Sequence, residues 1–209
     1  MMSVKLDSRD LAAKYNRFAR GYDYFEGLCG LLGVTKLRHD LVSQARGRVL
    51  EVAIGTGQNL RYYRIDCEII AVDVSGEMMK VARERGAKLN VNVRFALADA
   101  EAMPFRDRCF DTVVSSLSTC TFPNPSRALR EMVRVTKLSG KILLLEHGRS
   151  DHPWLGRFQD RHADKIAKPF GCHWNREPLE IAKAAGLKII SARRSFFGIF
   201  HRIAAVPDV

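Results

Sequence analysis

The feature that most constrains this chain is a regular alternation of short apolar segments with amphipathic ones between residues 48 and 146. The apolar segments are predicted strands at residues 48–54, 68–74, 91–97, 110–117 and 141–146. Most of them are apolar at nearly every position, which is typical of a parallel sheet with helices on both faces. The chain is therefore predicted to fold as a doubly wound α/β domain.

Helices are predicted between these strands. One should begin at about residue 58, and another should follow Ser75, whose side chain can cap it. The pair Asn124-Pro125 should open a third, with Asn124 as the cap and Thr136 at the end of the inner face.

The first part of the chain is predicted to be helical. Apolar residues recur at helical spacing from Leu11 to Tyr22, with Asp10 as the predicted cap, and a second helix is predicted over about residues 28–45. We assign residues 1–46 to an N-terminal helical cap.

The rest of the chain is assigned to one domain, residues 47–209. Its last part is predicted to contain helices at 154–168 and 177–185 and strands at 187–193 and 199–206. The two strands are close enough in the chain to pair antiparallel, and Phe196, Phe197 and Phe200 are expected in strand and core. Residues 149–178 are treated as an insertion.

Charge and cysteine content limit the partners. The 34 basic and 23 acidic residues give a net charge of +11, most of it in the two flanks. This charge suits an anionic membrane surface, nucleic acid or an acidic substrate as well as a solvated surface.

No apolar run approaches the ~20 residues that cross a bilayer, and no signal peptide is recognisable. A cytoplasmic location, peripheral on a membrane at most, is therefore expected. Cys120 and Cys172 belong to no Cys-x-x-Cys motif, so no metal is expected.

Three predicted strands end in residues suited to one ligand. The first ends in Gly55-Thr56-Gly57, but the third glycine of a dinucleotide fingerprint is replaced by Leu60. The second ends in Asp73, which can accept hydrogen bonds from ribose hydroxyls. The third ends in Asp99-Ala100, which can bind the amine and a ring nitrogen of adenine. Because these ends meet at one edge of the sheet, the pattern predicts an adenosine pocket without a pyrophosphate.

These motifs resemble those of the class I S-adenosylmethionine-dependent methyltransferases. The matching segments are residues 51–57, 72–79, 99–105, 110–114 and 139–142, within a resemblance that covers roughly residues 15–148. More narrowly, the chain is similar to the methyltransferase type 11 group that includes the ubiquinone/menaquinone methyltransferases. The resemblance implies a Rossmann-like sheet of seven strands in the order 3-2-1-4-5-7-6, mostly parallel with an antiparallel last strand. It also implies S-adenosyl-L-methionine as cofactor and S-adenosyl-L-homocysteine as product.

The resemblance also implies roles for individual residues. The cofactor-binding set is Glu51, Ala53, Gly55, Gly57, Asp73, Val74, Met78, Asp99, Ala100 and Ser115. Within it, Glu51 holds the amino group, Asp73 the ribose, and Asp99 with Ala100 the adenine. Tyr15, Tyr22 and Asp23 match a family pattern in a helix that closes over the cofactor. Ala53 departs from the family, which usually has glycine there.

The methyl acceptor is less constrained. His147 is the candidate general base, because its ordinary pKa lies near neutrality, and residues 115–122 should border the methyl group. Residues 146–148 and 172–178 are similar to those of membrane-associated thiol methyltransferases, and the chain's small size and core are similar to those of bacterial phosphatidylethanolamine N-methyltransferases. A small amphipathic or lipid-like acceptor is therefore expected, with an amine, quinol or thiol as the reacting group.

Three alternatives remain open. A nucleic-acid methyltransferase would suit the isoelectric point of 9.7, but Leu117-Ser118-Thr119-Cys120 stands where an Asn/Asp-Pro-Pro-Tyr/Phe motif is expected. A nicotinamide-dependent oxidoreductase is disfavoured by the missing third glycine and by the lack of a Tyr-x-x-x-Lys pair. A protein that binds the cofactor without catalysis is the third.

Overall fold

Seven strands form one sheet in a computed structural model that describes residues 7–19, 21–23 and 33–208. The strands are β1 (Arg48–Val52), β2 (Glu68–Asp73), β3 (Val93–Leu97), β4 (Phe110–Ser116), β5 (Thr136–His147), β6 (Leu187–Ser195) and β7 (Phe200–Pro207). Their order is β3-β2-β1-β4-β5-β7-β6. The first five are parallel to one another, and β7 runs antiparallel to both β5 and β6. The predicted fold class and strand order are confirmed.

Helices cover both faces of the sheet. They are α1 (Ser8–Phe18), α2 (Val34–Val42), α3 (Gly76–Lys88), α4 (Pro125–Val135), α5 (Pro153–Phe170) and α6 (Pro178–Ala184), with a 3₁₀ turn at Leu60–Tyr62. Leu129 of α4 and Ala182 of α6 pack in one core cluster with Val113 of β4. Leu41 of α2 packs in a second cluster with Val114, the next residue of β4. Successive side chains of a strand point to opposite faces, so β4 must be apolar on both.

Three of the predicted helices differ in the structure. Helix α1 begins at Ser8 because Asp7, rather than Asp10, caps it: the Asp7 carboxylate accepts the backbone N–H groups of Arg9 and Asp10 at 2.9 and 2.8 Å. Asp10, the third residue of the helix, completes the capping box.

The helix predicted from residue 58 is only the 3₁₀ turn. Of the predicted helix 28–45, residues 28–32 lie outside the described part, and α2 starts at Val34.

Strand β5 starts five residues earlier than predicted. Thr136 has extended backbone angles and ends α4 while its hydroxyl donates to the carbonyl of Met132 at 2.6 Å, so it belongs to the strand and not to the helix. The pairing of β4 with β5 is irregular here: Phe110 pairs with Thr136, but Thr112 pairs with Lys141. Gly140 lies in this irregular stretch, where a Cβ atom would approach the carbonyl oxygen of Asp111 to 2.9 Å.

The phenylalanines of the last hairpin are divided between surface and core. Phe196 and Phe197 lie in the turn between β6 and β7, both with positive φ, and are largely exposed, whereas Phe200 is buried in β7. The prediction that all three lie in strand and core is wrong for the first two, because the chain reverses direction there.

Candidate functional site

A cavity lies at the carboxyl ends of β1, β2 and β4, beneath α1. Parallel α/β sheets bind ligands at this edge, beside the point where the strand order reverses, which here is between β1 and β4. The predicted site residues that line it are Tyr15, Tyr22, Glu51, Ala53, Gly55, Asp73, Val74 and Met78. Eight of the predicted site residues therefore line one cavity.

Asp73 organises the glycine loop. One carboxylate oxygen accepts the backbone N–H of Gly55 and the other that of Ser75, each at 2.8 Å. Burial raises the pKa of Asp73, and the hydrogen bonds from Ser75 and Gly55 oppose that rise. Gly55 has a φ of +56°, and the direction of its missing Cβ is open for 4 Å. The loop thus leaves room for a ligand beside a carboxylate that has further lone pairs to offer.

Glu51 is a buried carboxylate with one unsatisfied oxygen. Its Oε1 accepts the amide of Asn59 at 2.9 Å, and Asn59 in turn accepts from Arg38 at 2.9 Å. Its Oε2 is buried and accepts no hydrogen bond of standard geometry within the described residues, although the buried Tyr63 hydroxyl, which also has no other partner there, lies close enough to lower the pKa of Glu51. Burial raises the pKa of Glu51 to about 7. A buried acceptor without a partner is costly, and the ammonium group of an amino-acid moiety is a fitting ligand for it.

Backbone strain also lies at this edge. Ala53 after β1 and Leu117 after β4 both have a φ of +55°, and both line the cavity. Left-handed conformations are unfavourable for residues other than glycine, and they concentrate at functional sites. The strain at Ala53 explains why the family resemblance calls for glycine at that position.

The N-terminal segment covers the cavity. Leu11, Ala12 and Tyr15 of α1 line it, and Asn16 accepts a hydrogen bond from the Ser75 hydroxyl at 2.7 Å. Burial raises the pKa of Tyr15 well above its ordinary value. The enclosed volume is about 70 Å³, whereas small-molecule pockets measure about 300–1,000 Å³.

Asp23 of the N-terminal segment is held to α3 by an ion pair and to the loop after β1 by hydrogen bonds. The Asp23 carboxylate contacts the Arg85 guanidinium at 2.6 Å and accepts from Thr56 and Gln58 at 2.8 and 2.9 Å. Arg85 also donates to the Thr56 carbonyl at 2.6 Å. Residue 23 is thus joined to both the loop after β1 and α3.

Five predicted site residues lie away from the cavity as it stands. Gly57 faces Leu60 and Ala82, and Ser115 is buried beside Ser118. Asp99 accepts the backbone N–H of Glu101 at 2.8 Å, and Ala100 is buried in the core. His147 is the last residue of β5. Their roles in cofactor binding and catalysis stay predictions. Asp99 and Ala100 follow β3, the strand beyond β2 at the same sheet edge.

Several lining residues were not predicted individually. They are Leu11, Ala12, Arg38, Ile54, Thr56, Gln58, Asn59, Ser75, Ser116, Leu117, Ser118 and Thr121. Ser116 ends β4 and the other three of the last four follow it, and this position at the end of a parallel strand is the signal that pointed to residues 115–122 as a group. Arg38 comes from α2, whose rotation about its axis is set by packing against the sheet and has no local sequence signal.

A second polar cluster lies at the ends of β4 and β5. Cys172 Sγ is 3.4 Å from His147 Nε2, and Cys120 is buried beside them. Hydrogen bonding to Cys120 and to His147 lowers the pKa of Cys172 to about 5, whereas the same Cys120–Cys172 contact, together with burial, raises the pKa of Cys120. His147, the predicted general base, therefore has a thiol group as its neighbour.

Comparison with known proteins identifies the chain's relatives. Residues 50–144 match the family described as "Methyltransferase domain". A demethylmenaquinone methyltransferase of Renibacterium salmoninarum is 33% identical over 184 residues, covering 84% of this chain and 74% of that protein. A phosphatidylethanolamine N-methyltransferase of Cereibacter sphaeroides is 35% identical over 112 residues, covering 53% and 55%. The YcgJ protein of Bacillus subtilis has a similar crystal structure, with a TM-score of 0.63, 27% identity and coverage of 77% and 71%.

A longer relative matches nearly the whole chain. The mitochondrial methyltransferase OMS1 of Saccharomyces cerevisiae is 30% identical over 224 residues, which covers 96% of this chain but 47% of the yeast protein. Across the described part of the chain, every helix is too short or too polar to span a bilayer.

Proposed function

Because this chain belongs to the S-adenosylmethionine-dependent methyltransferases, we propose that it transfers a methyl group to a small amphipathic or lipid-like acceptor. The buried Glu51 carboxylate, which lines the cavity beside the Asp73-held glycine loop, carries the proposal, since it suits an amino-acid ammonium group and Asp73 suits a ribose. When bound, S-adenosylmethionine supplies a methyl carbon that its sulfonium group activates for displacement.

The residues of the chain would bind, orient and shield the reactants. Asp73 would accept hydrogen bonds from the ribose hydroxyls, Glu51 would pair with the ammonium group, and Asp99 with Ala100 would hold the adenine. Helix α1, with Tyr15 on its inner face, would exclude water. Transfer to a well-placed acceptor needs little more than this alignment, which can supply a large part of the rate enhancement.

The acceptor would enter beside the loop after β4. Ser116, Leu117, Ser118 and Thr121 form that side of the cavity. An amine acceptor must arrive neutral, whereas a thiol or quinol must lose a proton, for which His147 is the proposed base. The names of two relatives supply candidate classes, a quinol and the amine of phosphatidylethanolamine; small thiols are the third.

We expect labelled S-adenosylmethionine to be retained by the purified chain and its methyl group to reach one of these three acceptor classes. The experiment incubates the chain with methyl-labelled cofactor and, in separate reactions, a quinol, phosphatidylethanolamine in vesicles and a small thiol, and follows label in the extracted product. The control replaces the cofactor with NAD(H), which should not be retained. Retention of S-adenosylmethionine with no transfer to any class would contradict the proposed acceptors and favour a protein that binds the cofactor without catalysis.

We also propose contact with an anionic membrane surface. Trp154, Phe158 and Phe170 of α5 are about half or more exposed, at 63%, 49% and 47%, and Phe197 stacks edge-on against His152 at the start of the same helix. The helix also carries Arg157, Arg161, Lys165 and Lys168. Exposed aromatic rings with basic side chains are typical of segments that lie in a membrane interface.

Vesicle sedimentation would test this contact. We expect the chain to sediment with vesicles that contain anionic lipid more than with neutral ones, and salt to weaken that binding. A Trp154→Ser/Phe158→Ser variant should bind several-fold less, whereas Ile190→Ser, which changes an exposed apolar residue of β6, should bind as the parent does. Equal binding by both variants would remove α5 as the contact surface.

A further inference from the structure

Three metal-ligating side chains meet beside the cavity although they are far apart in the sequence. Cys120 lies on the loop after β4, His147 ends β5, and Cys172 follows α5. Cys120 Sγ, Cys172 Sγ and a His147 ring nitrogen all lie within 4.8 Å of one another, and Cys172 Sγ is 3.4 Å from His147 Nε2. Their separations of 27 and 25 residues match no metal-binding motif, so the sequence predicted no metal here.

We propose that Cys120 Sγ, Cys172 Sγ and His147 Nε2 bind one Zn²⁺ ion. Zinc takes thiolate and imidazole ligands in tetrahedral geometry, with Zn–S near 2.3 Å and Zn–N near 2.1 Å. Those bond lengths place the ligand atoms about 3.5–3.8 Å from one another. The Cys172–His147 separation of 3.4 Å is close to this and the others are at most 4.8 Å, so side-chain rotations would complete the site. Two thiolates also neutralise the charge of a divalent ion.

The loops that carry the ligands are fixed by contacts around the site. The buried carboxylate of Glu146 accepts the backbone N–H groups of Ser118 and Thr119 at 3.0 and 3.1 Å, which holds the loop before Cys120. The backbone N–H of His173 donates to the Cys120 carbonyl at 2.9 Å and so ties the two cysteine-bearing segments together. Such outer contacts orient ligands and strengthen metal binding.

Arg176 adds a second tie between the same segments. Its guanidinium donates to the carbonyls of Thr119 and Phe122, the latter at 2.9 Å. Its positive charge acts on both cysteines and disfavours a bound metal ion, whereas the neighbouring Glu146 carboxylate offsets it. The ligand geometry is therefore held by a network that does not itself require the metal.

Three protein ligands leave the fourth position of a tetrahedral ion free. A Cys₂His set with one free position is a donor set of catalytic zinc sites, where water or a substrate is the fourth ligand. Leu117, Ser118 and Thr121, on the same loop as Cys120, line the cavity. In this arrangement the Nε2 atom of His147 is a ligand, so a bound zinc ion would exclude the role of His147 as general base proposed above.

Metal analysis of the reduced chain would test the site. The chain, carrying a tag without histidine, is loaded with Zn²⁺, freed of loosely bound metal with a weak chelator and analysed by plasma mass spectrometry. We expect about one zinc per chain. Loading with Co²⁺ instead should give the thiolate charge-transfer and visible bands of a tetrahedral cobalt site.

Variants assign the ligands. Cys120→Ser, Cys172→Ser and His147→Gln should each weaken zinc binding about tenfold or more, as the loss of a direct ligand costs at least as much as the loss of an outer contact. Cys109→Ser and His162→Gln, which change a cysteine and a histidine outside the cluster, should keep the metal. Circular dichroism and binding of S-adenosylhomocysteine would show that each variant is folded.

The proposal is overturned if the reduced parent chain retains no more zinc than the Cys120→Ser/Cys172→Ser variant. Cobalt spectra without thiolate bands would also overturn it. Metal content does not depend on methyl transfer. The zinc site can therefore fail while the methyltransferase function holds, and the reverse.

Discussion

Asp73→Ala is expected to weaken binding of S-adenosylmethionine by about 10- to 100-fold, because hydrogen bonds to a charged group contribute about 1.5–3 kcal/mol each. The substitution removes the proposed acceptor for the ribose hydroxyls. It also frees the N–H groups of Gly55 and Ser75, which the carboxylate now holds at 2.8 Å. Titration calorimetry with S-adenosylmethionine and with S-adenosylhomocysteine would measure both affinities.

A matched control is available on the surface. Asp66 is exposed and pairs only with Arg64 among the described ion pairs, so Asp66→Ala should leave cofactor affinity unchanged. Circular dichroism should show that both variants keep the parent fold. Unchanged affinity in a folded Asp73→Ala chain would remove the glycine loop from the binding site.

Glu51→Gln is expected to abolish a pH dependence of cofactor binding. Burial raises the pKa of Glu51 to about 7 in the chain without ligand. Its ionised form would pair with the ammonium group of the cofactor, so the affinity of the parent chain should rise as pH increases through about 7. At pH values above that, Glu51→Gln should bind about 10- to 100-fold more weakly than the parent and without the rise.

The same residue gives a prediction for the stability of the ligand-free chain. A carboxyl group whose pKa rises on folding, here from 4.5 to about 7, stabilises the fold only while it is protonated. This contribution is complete below about pH 4.5, declines as pH rises to about 7 and is then lost, a change of about 3 kcal/mol. Urea unfolding of the parent and of Glu51→Gln across this range should show a larger decline in the parent, because the buried Asp73 and Glu146, whose pKa values are also raised, remain in both chains.

Glu84→Gln is the control for both measurements, because Glu84 is exposed on α3. It should follow the parent at every pH. A parent chain whose affinity and stability relative to Glu51→Gln do not change between pH 5 and pH 8 would show that Glu51 keeps an ordinary pKa, and the assignment of its buried oxygen to the ammonium group would fall.

The sequence was most informative where local pattern and chemistry coincide. Most of the five parallel strands were predictable because their residues are apolar on both faces, β3 was predictable from its alternating pattern, and Asn124-Pro125 does open α4. Asp73 and Gly55 were predictable as a pair because each follows a parallel strand. The strand order and the roles of individual residues came from the family resemblance, since no local pattern decides which strands are neighbours.

What the sequence did not predict depends on contacts between distant segments. Thr136 suits a helix face by spacing, yet it pairs with Phe110 of β4 and starts β5. The unsatisfied oxygen of Glu51 is visible only once Asn59 is seen to occupy the other one. Cys120 and Cys172 have no recognisable spacing because the fold, rather than a short motif, brings them together.

The position of β7 has a consequence for how the chain is made. β7 follows β6 in the chain but lies between β5 and β6. While a ribosome is still translating residues 148–199, the apolar strand β5 therefore has an open edge and β6 has no strand to join. Unpaired strand edges invite association with other chains. The interval before residues 200–207 emerge is thus the period in which a nascent chain most needs protection from aggregation.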